Sequence, residues 1–379
     1  MDSGLSSIVE RIRAATAAAT PLRIRGGGTK AFYGEPTSGE WLDTRPLAGI
    51  TSYEPSELVV TVRAGTPLAE LEALLATEGQ CLPFEPPHFA VGGTVGGMVA
   101  AGLSGPARAS VGAVRDYVLG ATLVNGQGEV LSFGGQVIKN VAGYDVSRVL
   151  AGSMGTLGLI AEVSLKVLPV APAEVTLQFE CGQAEALDLL HGWGGRPLPL
   201  NASCWVQDQG VGTLYLRLRG AVAAVEAACA QMGGERQRDA AADWDACRDL
   251  QLPWFRERGS RELWRLSVPQ TAPVLAIAGE PPLIEWHGGL RWYRADANQG
   301  LALRAAAHAA GGHATRFIAA DGAAEGAADG EADAATAGLP RFDAQSAPLE
   351  RIQRALQREF DPAGIFNRGR LQRPGVGRP

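Results

Sequence analysis

The chain has 379 residues, 46% of them hydrophobic and 20% charged, with a formal net charge of −6. This is the profile of a folded protein with room for two cores, and it excludes a disordered chain. The acidic balance, with a sequence pI of about 5.5, gives no electrostatic reason to bind nucleic acid or anionic lipid.

Glu10, Arg11 and Arg13 stand where a secretory peptide would need its apolar run, and no apolar stretch reaches bilayer length. The expectation is a cytoplasmic protein that meets the inner face of the membrane only through a partner. Cys81, Cys181, Cys204, Cys229 and Cys247 are spaced singly, with no C-x-x-C pair. That spacing argues against a disulfide framework, a zinc ribbon and an iron–sulfur cluster, and reads as small buried hydrophobes.

In chain order, residues 4–19 read as a helix with Leu5, Ile8, Val9 and Ile12 on one face, ended by Pro21. Leu22–Arg25 alternates as a strand and runs into Gly26-Gly27-Gly28, and a second short strand follows at Trp41–Thr44. Strands at Ile50–Tyr53 and Leu58–Arg63 precede a helix at Pro67–Ala76, with Pro67 a good start and Gly79 a good stop. Gly92–Gly97 opens a small-residue helix to about Ala101. Tyr117–Val124 and Glu129–Phe133 form a hairpin around Asn125–Gly128. A short helix at Asp145–Leu150 leads to Gly152–Gly158 and a strand at Leu159–Leu168. Beyond Pro169 and Pro172, strands at Val175–Glu180, Gly212–Arg219 and Glu262–Val268 alternate with helices at Ala221–Gln231 and Leu301–Ala310. The stretch 319–338 is Ala, Gly, Asp and Glu with almost no apolar surface, and reads as a disordered acidic insertion. A helix at Pro348–Phe360 then leads to Asp361–Arg370.

Three glycine-dense turns, at 26–28, 92–97 and 152–158, fall in the first 160 residues. A pyrophosphate needs backbone N–H groups aimed at it and no Cβ in the way, which such turns supply. Neither G-x-G-x-x-G after a strand nor G-x-x-x-x-G-K-[ST] occurs, which disfavours NAD and P-loop chemistry. Spacing alone stops at one large anionic cofactor.

The segments Ile24–Lys30, Gly93–Met98, Gly152–Ile160 and Asp361–Arg370 resemble, in order and spacing, the vanillyl-alcohol-oxidase superfamily with its PCMH-type FAD domain. Within it, Pro83–His88, Val137–Asp145, Gly289–Trp292 and Gly311–Phe317 resemble the FAD-binding E subunits of bacterial glycolate oxidases (glycolate dehydrogenases). The resemblance implies an α+β chain. Residues 1–170 would form a two-subdomain FAD domain and 171–318 an α+β cap. The insertion would occupy 319–340, and 341–379 would return as a C-terminal arm onto the FAD domain. It also implies non-covalent FAD, since Thr29 and Lys30 stand where covalent members often carry a histidine. His88 and Cys81 are the only other attachment candidates considered.

By that resemblance, Arg25, Gly26, Gly27, Gly28, Thr29 and Lys30, with Gly92, Gly93, Thr94, Gly96 and Gly97, hold the pyrophosphate. Gly152, Ser153, Thr156, Gly158 and Ile160 flank the ribityl chain and ring, and Asn367 and Arg370 close over the cofactor. Lys139, Asn140, Tyr144 and Asp145 lie on a loop that could orient the flavin, or could simply pack and cap a helix. In the cap, His313 as base and Arg316 or Arg291 as carboxylate clamp are the candidates for 2-hydroxy-acid chemistry. A turn histidine and ion-paired arginines are the structural alternative. No H-x-G-D-G-N metal motif is present, so no metal is expected.

Two functions follow from the resemblance. One is an FAD-binding subunit of a complex that oxidises glycolate to glyoxylate, with a homologous catalytic flavin subunit and an iron–sulfur subunit passing electrons to the respiratory chain. The other is a self-sufficient flavin dehydrogenase of a small 2-hydroxy acid such as D-lactate.

Overall fold

The computed structural model describes residues 3–135, 145–208, 210–320 and 339–372. Lys139, Asn140, Tyr144 and the acidic stretch 321–338 lie outside the described residues. The chain divides into two compact units, the first made of 1–103, 113–169 and 344–379, the second of 104–112 and 170–343. Residues 104–112, placed by the sequence with the FAD domain, belong to the second unit.

In the first unit, helix α1 (Ser3–Ala17) buries Ile8, Val9 and Ile12 against β1 (Leu22–Arg25) and β2 (Glu40–Asp43), which pair in parallel. Strands β3 (Ile50–Glu54) and β4 (Val59–Arg63) open a five-stranded antiparallel sheet completed by Leu159–Lys166, Val118–Val124 and Val130–Gly134. Helices α2 (Leu68–Thr77) and α3 (Val95–Ala101) bury Leu68, Leu71, Leu75, Met98 and Val99 in the core of that sheet. The strand Leu159–Lys166 serves two cores. Leu159 and Ala161 join the α1 cluster, while Ile160, Val163 and Leu165 join the larger one. The third glycine turn, which ends at Gly158, therefore leads directly into a strand shared by two cores.

Residues 344–379 group with this unit. Leu22 N–H donates to Ile365 O (2.7 Å) and Asn367 N–H to Leu22 O (2.9 Å), so the arm lies along the free edge of β1. The buried Asp361 carboxylate caps the turn that starts it, accepting from Ile365 N–H (3.0 Å) and Phe366 N–H (2.8 Å).

The second unit is an eight-stranded antiparallel sheet. Helices Gln183–Gly194 and Val222–Met232 cover one part of a face through Leu187, Leu190 and Val225, and Gly300–Ala309 covers another through Leu303 and Ala307. The sequence missed the strand Leu200–Asp208. Leu200–Cys204 alternates apolar and polar residues, but Trp205 and Val206 break the pattern, and both faces are buried, Asn201 and Ser203 along with Ala202 and Cys204.

Candidate cofactor site

One open cleft in the first unit spans roughly 1070 Å³ of empty space, counting the solvent at its mouth. Of the residues expected to hold a cofactor, Arg25, Gly26, Gly27, Gly28, Thr29, Lys30, Thr94, Gly96, Gly97, Gly158, Ile160, Asn367 and Arg370 all line it. The remainder stand behind it as framework. Gly93 O accepts from Leu68 N–H (2.8 Å), Gly152 N–H donates to Val99 O (3.0 Å), and Thr156 Oγ1 donates to Ser153 O (2.7 Å). Gly92 backs the first loop so closely that a Cβ on Gly27 would overlap the Gly92 carbonyl oxygen. Close approach of two backbones thus requires glycine at 27.

The loops divide their hydrogen-bonding groups in a telling way. Helix α3 is already capped by its own surroundings: Val95 N–H donates to Thr66 O, Gly96 N–H to Ala64 O, and Gly97 N–H to Thr94 Oγ1 (3.3 Å). Its N-terminal turn therefore offers few free donors. The N–H groups of Gly26, Gly27, Gly28 and Thr29, by contrast, find no acceptor among the described residues, although they line the cleft. Backbone donors left open together in a glycine loop form an anion cradle. Lys30 lies beside them, with its Nζ 5.6 Å from the Phe89 ring. Ser153 Oγ is buried with no hydrogen-bond partner among the described residues, a second donor left over beside the third glycine turn.

The arm seals the same cleft. Asn367 Oδ1 accepts from Ile24 N–H (2.9 Å) and its Nδ2 donates to Met154 O (2.6 Å), tying β1 to the third glycine turn. A Cβ on Gly155, itself at φ +69°, would come within 2.7 Å of that Nδ2. Arg370 uses its guanidinium to hold loop carbonyls, donating to Ala31 O (2.7 Å) and Glu35 O (2.9 Å).

The second unit treats its candidates differently. Arg316 and His313 lie three residues apart on the strand His313–Ile318, so they face opposite sides of it. They cannot meet one ligand together. Arg316 is buried in an ion pair with buried Glu262, its Nε 2.6 Å from Oε1, and its Nη1 donates to Leu339 O (3.2 Å). Arg291 is fully buried and donates to the carbonyls of Ala272 (2.5 Å), Pro273 (2.5 Å) and Gly288 (3.3 Å). These two guanidiniums are committed to protein acceptors, which favours the structural alternative over their reading as carboxylate clamps. His313 is exposed at the start of the strand at one edge of the sheet. Desolvation by the surrounding protein, then the charge of Arg265, lowers it below the ordinary histidine range.

A histidine that the sequence did not single out is held more firmly. His287 follows Trp286 in a turn where both take left-handed backbone, at φ +54° and +53°. Its N–H donates to Ser203 Oγ (2.8 Å), and its Nε2 lies 2.9 Å from Ser110 Oγ. Burial pushes its pKa down to about 4, which keeps the ring neutral at pH 7.

A family model described as an FAD binding domain matches residues 5–134. Glycolate oxidase subunit GlcE of Escherichia coli K12 is 43% identical over 365 residues, covering 96% of each chain. The chain belongs to the GlcE family of glycolate oxidase subunits. Glycolate oxidase subunit GlcD of Bacillus subtilis is 31% identical over 159 residues, 41% of this chain and 34% of that one. Solved alkyldihydroxyacetonephosphate synthase has the same fold, with a TM-score of 0.63 at 15% identity over 96% of this chain and 74% of that one.

This GlcE-family chain is thus an FAD-dependent oxidoreductase subunit, and the cleft fits the cofactor that membership implies. It supplies unpaired loop amides for phosphates, a lysine beside them, and the walls of Ile160, Gly158 and Met154 for a ring. Among the described residues, no helix is long and apolar enough to cross a membrane. The sequence reading missed part of the cleft: Arg23, Trp41, Thr44, Ala64, Met154 and Gly155 also line it. Alternation along Leu22–Arg25 puts Arg23 and Arg25 on one face, and the parallel register with β2 adds Trp41 to it.

Proposed function

We propose that this chain is the non-catalytic FAD-holding subunit of a glycolate-oxidising complex, with its flavin bound non-covalently and with substrate chemistry in a homologous flavin subunit. Electrons would leave through an iron–sulfur subunit toward the respiratory chain. The observation that carries the reading is the contrast in commitment. The Gly26–Thr29 amides stand open in the cleft, whereas Arg291 and Arg316 are spent on protein carbonyls and Glu262. The full-length match to a glycolate oxidase subunit supports the complex and its substrate class.

In this reading Gly26–Thr29 donate to the pyrophosphate and Lys30 balances its charge. Asn367 and Arg370 fix the arm that shields the cleft from water. Bound there, FAD supplies a two-electron acceptor. His88 pairs with Glu72 (2.9 Å), and neither His88 nor Cys81 lines the cleft, which supports the absence of a covalent link.

Reconstitution tests the proposal. Glycolate oxidation should require this chain, a sister flavin chain and an iron–sulfur chain together, and acid precipitation of this chain should release its yellow colour to the supernatant. Full turnover by a complex lacking this chain, or colour kept in the pellet, contradicts it.

A further inference from the structure

Trp41 is 43% exposed, yet it lies in the cofactor cleft. A single exposed tryptophan on a protein surface needs no explanation. Trp41 differs in how it is mounted. Strands β1 and β2 run parallel with Arg23 opposite Trp41 and Arg25 opposite Asp43, so these side chains share one face. The opposite face is closed by Leu22 and Leu42, both buried in the α1 core. The Arg23 guanidinium carbon lies 3.7 Å from the indole centroid and that of Arg25 lies 4.8 Å away. Arginines held against an indole fix its plane.

Arg25 makes a second connection. Its Nε and Nη2 each lie 2.8 Å from where a Cβ on Gly28 would stand. One guanidinium therefore bridges the indole and the loop whose amides are open. A nucleotide presents the matching pair of features, a flat heteroaromatic ring and a phosphate joined through one sugar or sugar alcohol. An exposed aromatic beside a cationic, phosphate-holding groove is how proteins stack such rings.

We propose that Trp41, backed by Arg23 and Arg25, is a stacking platform for a planar heteroaromatic ring of the bound dinucleotide, next to the phosphates held by Gly26–Thr29. The inference rests on the FAD reading of the cleft. FAD offers two such rings, adenine and isoalloxazine, and the test separates them.

The full-length chain, stripped of flavin, is titrated with FAD, ADP and FMN while tryptophan emission and affinity are followed. FAD should quench a component of the emission that is missing in Trp41→Phe, and Trp41→Phe should keep most of the affinity. Trp41→Ala should weaken FAD binding about 10-fold, the loss expected for one stacked ring. Quenching of the same component by ADP assigns the platform to adenine, and quenching by FMN assigns it to isoalloxazine. Wild-type FAD affinity in Trp41→Ala, or unchanged quenching in Trp41→Phe, overturns the platform and leaves the FAD reading intact. Equal losses of affinity and thermal stability in both variants would make Trp41 a structural residue and also overturn it. Failure of the wild-type chain to bind FAD overturns both.

Discussion

The two units of this chain use their polar groups in opposite directions. In the first, the Gly26–Thr29 loop that lines the cleft has four N–H donors with no acceptor among the described residues, and the buried Ser153 hydroxyl has no partner among them either. In the second, arginines that could serve a substrate are buried against carbonyls and a carboxylate. Buried side-chain atoms without a partner among the described residues occur in both units, Tyr293 Oη and His287 Nδ1 in the second, so what sets the first unit apart is four amides left open together in one loop that lines a cleft. The comparison supports the proposal that the cofactor binds in the first unit, and it gives Arg291 and Arg316 of the second a structural task.

The sharpest attack on that comparison is Arg316→Met. It strands buried Glu262 with only the Trp264 indole N–H (2.9 Å) among its described partners. Breaking a buried ion pair in this way should cost about 3–5 kcal/mol, seen as a lower thermal midpoint, with flavin content per folded molecule unchanged. Retained stability with a raised KM for glycolate in the complex would restore Arg316 to the substrate.

His287 gives a pH signature of the second unit. Its folded pKa of about 4 lies below the ordinary 6.5, so its contribution is fully present above pH 6.5 and is lost as pH falls toward 4. The loss should reach at most about 3.5 kcal/mol, since each pH unit between the two values corresponds to about 1.4 kcal/mol. Urea midpoints across that range should fall in the wild type and fall less in His287→Gln. Equal slopes would show that the imidazole is not held neutral by the fold.

In the first unit, Asn367→Ala removes the link between Ile24 N–H and Met154 O. A buried donor and acceptor left unpaired should cost about 2 kcal/mol. Faster flavin loss on gel filtration should accompany it, because the link ties two walls of the cleft together. Stability loss without flavin loss would make the arm a packing element alone.

The glycine turns were legible in the sequence as turns, and the structure adds that a Cβ on Gly27 would overlap the Gly92 carbonyl. In the arm, Asp361 makes local bonds to Ile365 and Phe366 that its side-chain chemistry favours, whereas Asn367 bonds to Ile24 and Met154, partners far off in the chain that no local pattern shows. The second unit was harder to read. His313 and Arg316 look adjacent in the chain, but their odd spacing on a strand separates them, and what Arg316 meets depends on Glu262, 54 residues away. Trp41 fell between these cases. Its strand was expected, but the face it shares with Arg23 and Arg25 emerges only from the parallel register of β1 with β2.

The smallest expected effect is His313→Gln. An exposed residue at the start of an edge strand should change stability by less than about 0.5 kcal/mol. If the substrate chemistry lies elsewhere, kcat of the reconstituted complex should also hold. A fall of about 10²–10⁴-fold with the fold intact would identify His313 as the base.

The central claim is that this chain holds its flavin without reducing it. Anaerobic titration of the purified, FAD-loaded chain with glycolate tests it most directly, by following the oxidised flavin band near its absorbance maximum. The account predicts that the band persists with this chain alone and bleaches once the sister flavin and iron–sulfur chains are added. Rapid bleaching by glycolate in the isolated chain would contradict it.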